Sequence, residues 1–204
     1  MAEIKSTMEK VMERLAAMGE VSTSEIVAEE KRRDGMRLAA AFLRGEETDL
    51  AKTLAGRPTA DQPLLLQGIV RTLLRNIILP RNEDQRLQAE QAINGLLQVS
   101  SGGGDLRSMF KEIKSIVDRY LEHRGQLREQ LKTAFSQQLD QMEDSLAQQT
   151  GMKFKIDPSQ HPKFQEEWER LQGELNSQYG RALDQYKTVI EQQLGGVNKT
   201  GKCS

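Results

Sequence analysis

Between Asp105 and Leu194 the apolar positions recur at steps of three and four. The first run carries Leu106, Met109, Phe110, Ile113, Ile116, Val117, Tyr120 and Leu121, then Leu127, Leu131, Phe135, Leu139, Met142 and Leu146. That spacing keeps the side chains on one helical stripe. It predicts a helix from Asp105 to Gln149, roughly 65 Å long at about 1.5 Å per residue. Asp105 suits the N-cap, where a carboxylate accepts orphan amide protons, and Gly151 suits the end. The second run is Phe164, Trp168, Leu171, Leu175, Tyr179, Ala182, Tyr186, Val189 or Ile190, and then Leu194. It approaches a heptad seam, with Pro162 in the first turn and Gly195 and Gly196 after the last.

The connection from Thr150 to His161 returns the chain, so the two arms are expected to run antiparallel. Setting Gln149 opposite Pro162 places Leu194 opposite Val117, and Asp105 to Ile116 then project beyond the second arm. The apolar face is broadest there, which predicts that it is buried by residues 1–100. Tyr179, Tyr186 and Ile190 are left as residues in want of a partner. Within the connection Met152, Phe154 and Ile156 alternate with Lys153 and Lys155 in a period of two. Such a segment either closes the tip against Phe164 and Trp168 or offers an edge to another chain.

The first hundred residues read as shorter helices. Ile4, Met8, Val11, Leu15 and Met18 form a narrow stripe that Gly19 is expected to end. Ser22 with Glu25 has the form of a capping box for a helix reaching Leu43 and ending at Gly45. A short helix follows from Thr48 to Ala55. Leu64 to Leu79 is the most apolar stretch, stopped by Pro80, and Asn82 with Gln85 begins the next helix. Ser100 to Gly104 has linker composition. The fold class is therefore all-α: a multi-helix head over 1–99, a linker over 100–104, a long antiparallel coiled-coil-like hairpin over 105–196 and a tail over 197–204.

Charge narrows the functional classes. Residues 1–104 hold 14 basic and 15 acidic side chains and residues 105–204 hold 15 of each, so neither half has a field that attracts nucleic acid or acidic membrane. The one cysteine, Cys203, permits no intrachain disulfide or cysteine-rich zinc site. The N-terminus is too charged for a signal peptide, and Leu64 to Leu79 is too short and too polar to span a bilayer. A reducing cytosol is the expected compartment.

Candidate chemistry is sparse. His123 and His161 are the two histidines, without a third ligand to complete a zinc site and without the setting of a catalytic triad. Asp140, Glu143 and Asp144 on one arm and Glu166, Glu167, Glu169 and Glu174 on the other form either an acidic patch or ordinary solvated helix faces with i,i+4 pairs. No Glu-x-x-His motif of a dinuclear metal bundle occurs. Gly102 to Gly104 precedes a helix but lacks the lysine and hydroxyl of a phosphate loop. Lys31, Arg32 and Arg33 are flanked by acids, and Arg71 and Arg75 share one face. No catalytic, cofactor or metal residue is assigned.

The opening from Met1 to Arg14 resembles the start of small, uncharacterised bacterial helical proteins. The resemblance covers about fifteen residues and carries no catalytic motif; it implies a bacterial cytoplasmic protein and no activity. The sequence reading is thus a non-enzymatic interaction or scaffold protein that self-associates, with Met152, Phe154, Ile156, Phe164 and Trp168 as the candidate partner contact. The alternative is a peripheral membrane or complex-assembly factor using Leu64 to Leu79 or Ile4 to Met18 as an amphipathic surface.

Overall fold

The computed structural model describes the backbone of residues 7–100, 104–150 and 157–195, with side chains over 23–100, 104–140, 148 and 157–195. Among the described residues six α-helices follow one another: α1 Thr7–Leu43, α2 Leu50–Ala55, α3 Gln62–Asn76, α4 Glu83–Val99, α5 Gly104–Thr150 and α6 Pro162–Ile190. A 3-10 turn, Pro158–Gln160, precedes α6, and a π-helical turn, Glu191–Gly195, follows it. There is no strand among the described residues. The alternating segment at Met152, Phe154 and Ile156 lies outside them.

The chain forms two compact units. The first comprises Met1–Asn76, Asn94–Gly102 and Ile190–Ser204; the second comprises Ile77–Ile93 and Gly103–Val189.

In the first unit α1 is one helix of 37 residues, which corrects the expected break at Gly19 and restart at Ser22. An interior glycine lowers helix stability by about 1 kcal/mol against alanine without forbidding the conformation. The real end is at Gly45, whose φ of 76° is the left-handed turn that glycine accepts. Its amide donates to the Phe42 carbonyl, and the Glu46 amide to that of Ala41.

α1 packs on α3 at two glycines. A Cβ placed on Gly35 would lie 2.1 Å from the Leu65 carbonyl oxygen, and one on Gly68 would lie 2.0 Å from that of Arg32. Each glycine thus faces the carbonyl three residues before the other, and only hydrogen fits between the backbones. Around this crossing Ala39, Phe42, Leu65, Ile69, Val70 and Leu73 are buried. Gly95 on α4 admits Phe42 and Leu73, whose carbons would lie 2.8 and 3.0 Å from a Cβ there. Gln98 ties down the start of α2, accepting from the Leu50 amide and donating to the Thr48 carbonyl. The π turn also packs on α3, and Ile190 is fully buried.

α3 ends at Asn76, three residues before the expected Leu79. Pro80 disfavours helical backbone at the residue before it and supplies no amide proton. Ile77 and Pro80 are nevertheless buried, while Ile78 is exposed. Leu65, Ile69, Val70, Leu73 and Leu74 of α3 are buried.

In the second unit α4 starts as expected: Asn82 accepts from the Gln85 amide, and the Gln85 side chain accepts from the Arg81 amide. Its first turns lie beside α5. The Arg81 carbonyl accepts from Arg124, Arg86 meets Asp118 at 3.2 Å, and Glu90 meets Lys114 at 2.6 Å. Those rungs descend α5 as they ascend α4. The same stretch of α5 buries Phe110, Ile113, Val117 and Tyr120.

α6 also runs against α5. Tyr120 stacks edge-on to Tyr179 and Phe135 to Phe164, so numbers fall on α6 as they rise on α5. The expected register is corrected: Pro162 stands roughly a dozen residues, about 20 Å of helix, before the level of Gln149. At about 3.3 Å per residue the connection is long enough for this offset, and its 3-10 turn packs on α5. The α5 turns that outrun α6 are therefore the last ones, not Asp105 to Ile116.

Candidate interaction surface

Polar and aromatic side chains come together where α5 and α6 meet. Tyr120 is 1% exposed, and its hydroxyl donates to Asn176 Oδ1 at 2.6 Å. Burial pushes this phenol above the ordinary tyrosine range, with Arg124 and Arg81 opposing. Tyr179 stacks on Tyr120 with centroids 5.5 Å apart, and its hydroxyl shares a 2.6 Å hydrogen bond with His123 Nδ1. One turn further along α5, Arg124 lies over the Trp168 ring at 5.6 Å while its Nη1 donates to the Arg81 carbonyl at 2.8 Å. Arg128 lies 6.0 Å from the same ring. Arg124 thereby links the segment before α4, α5 and α6, although its Nε is buried without a partner.

At the start of α6 the chemistry is local. His161 caps the helix through Nδ1, which accepts from the Lys163 amide at 3.3 Å, and its ring lies 5.9 Å from Phe135. Phe164 is buried against Phe135 at 5.5 Å. Beside them is an open depression of about 620 Å³ lined by Phe135, Gln138, Lys163, Glu166, Glu167 and Arg170. Arg170 holds both Glu167 and Glu174 at 2.6 Å. The hydrogen bond from Arg170 keeps the Glu167 carboxyl below its usual range, so these acids form a local ion-pair ladder.

The five side chains expected to contact a partner fall into two groups. Met152, Phe154 and Ile156 lie outside the described residues. Phe164 is packed inside the second unit, and Trp168 is half-buried beneath two arginines. Of the residues expected to want a partner, Ile190 is buried by the chain itself and Tyr179 is engaged by Tyr120 and His123. The basic run is likewise occupied: Lys31 meets Asp61 at 2.8 Å, and Arg32 meets Gln67 and Glu29. Among the described residues no group of three His, Cys, Asp or Glu side chains is placed to hold a metal, and no helix is long and apolar enough to cross a membrane.

A model of a family of unknown function, DUF6657, matches residues 51–192, well over half of the 204-residue chain. The chain belongs to DUF6657. The match takes in the whole α5–α6 seam and the α4 salt bridges, so these lie within the DUF6657 region. It does not reach Met1 to Arg14. No curated protein and no solved structure matches the chain.

Sequence reasoning missed Asn176 and the two crossing glycines. Asn176 occupies an ordinary polar position of α6, with no signal before Tyr120 is set beside it. Gly35 and Gly68 did carry one: a glycine inside an apolar helical pattern marks a close backbone approach.

Proposed function

We propose that this DUF6657 protein is a non-enzymatic helical interaction protein of the bacterial cytoplasm, whose first partner is a second copy of itself. The observation that carries this reading is the occupancy of the α5–α6 seam. Tyr120, Asn176, His123, Tyr179, Arg124 and Trp168 answer one another's polar and aromatic groups. Groups spent on holding two helices together are not poised for acid, base or nucleophile work, which requires convergence on an open reacting position. The balanced charge argues against nucleic acid, and the buried α3 face against a membrane surface. The single cysteine and the N-terminal resemblance support the compartment.

Support for association comes from large apolar side chains at the surface: Ile78 and Leu87 are 46% and 50% exposed in the second unit. The contact is assigned to Met152, Phe154, Ile156, Phe164 and Trp168. Light-scattering mass across about a hundredfold range of concentration tests the self-association, since mass action raises the oligomer fraction with concentration. A mass equal to one chain throughout refutes it. A pull-down comparing wild type with Phe154→Asp/Trp168→Ala tests the surface; unchanged capture removes the assignment.

A further inference from the structure

No further inference is drawn: the strongest candidate, the exposed apolar patch of Ile26 and Val27 on α1, is a helix face for which nothing in the structure shows what covers it.

Discussion

Replacing Gly68 with alanine puts a methyl group where the Arg32 carbonyl oxygen already stands, 2.0 Å from the new carbon. Cβ atoms essentially never approach closer than 3.0 Å, so the α1 and α3 backbones must separate by about 1 Å, enough to forfeit a quarter to a half of a dispersion contact. Overpacking of this kind costs about 1–3 kcal/mol. At present the glycine hydrogen points at that oxygen, and the reciprocal contact at Gly35 doubles the arrangement; each Cα–H···O contact is worth roughly 0.5–1 kcal/mol. Alanine returns about 1 kcal/mol of helix propensity. The net expectation is a loss of about 2 kcal/mol, or about 4–8 °C in Tm for a chain of this length. Urea and thermal unfolding followed by far-UV circular dichroism measure it. Gly125→Ala is the matched control: it lies within α5 with nothing within 4 Å of the added carbon, and should stabilise by up to about 1 kcal/mol. Once Gly68→Ala has parted the helices, adding Gly35→Ala should cost less than it does alone. A Gly68→Ala protein that unfolds at or above the wild-type midpoint refutes the crossing.

Other expectations concern the second unit. Tyr120→Phe removes the hydroxyl from Asn176 and should destabilise by about 0.5–1.5 kcal/mol; a double-mutant cycle with Asn176→Ala should show coupling, and strict additivity would disprove the bond. The hydrogen bond from Lys114 holds the Glu90 carboxyl below its usual range. Its stabilisation is therefore present above the unfolded carboxylate pKa and disappears as pH falls through the depressed folded value. Glu90→Gln should be less stable than wild type at neutral pH by no more than about 1 kcal/mol, with the two denaturation midpoints converging in acid. A gap that persists or widens in acid contradicts the sign.

Much of the helix inventory could be read along the chain, because caps and periodicity are local. Asn82 with Gln85, Pro162 at the start of α6 and Gly45 after α1 act where their residue types lead one to expect. The errors arose where a local signal competed with something distant. Gly19 and Ser22 carry the form of a stop and a start, yet α1 passes through both. Pairing the ends of the long arms minimised the connection, whereas the contacts of Tyr120 and Phe135 set the register. The seam was legible as two apolar stripes. Its hydrogen bonds were not, since Asn176 acquires meaning only beside Tyr120.

The chain passes between its two units four times, after Asn76, Ile93, Gly102 and Val189. Separating them with a single scissile bond is consequently impossible. A protease or a truncation acting at the glycine run would leave each fragment holding a remnant of a core whose complement is on the other. α4 makes this acute, because one unbroken helix carries the buried Ala89 and Ala92 in the second unit and the buried Leu96 and Val99 in the first. Domain-by-domain dissection is therefore the wrong tool for this protein, and substitutions within the intact chain are the right one.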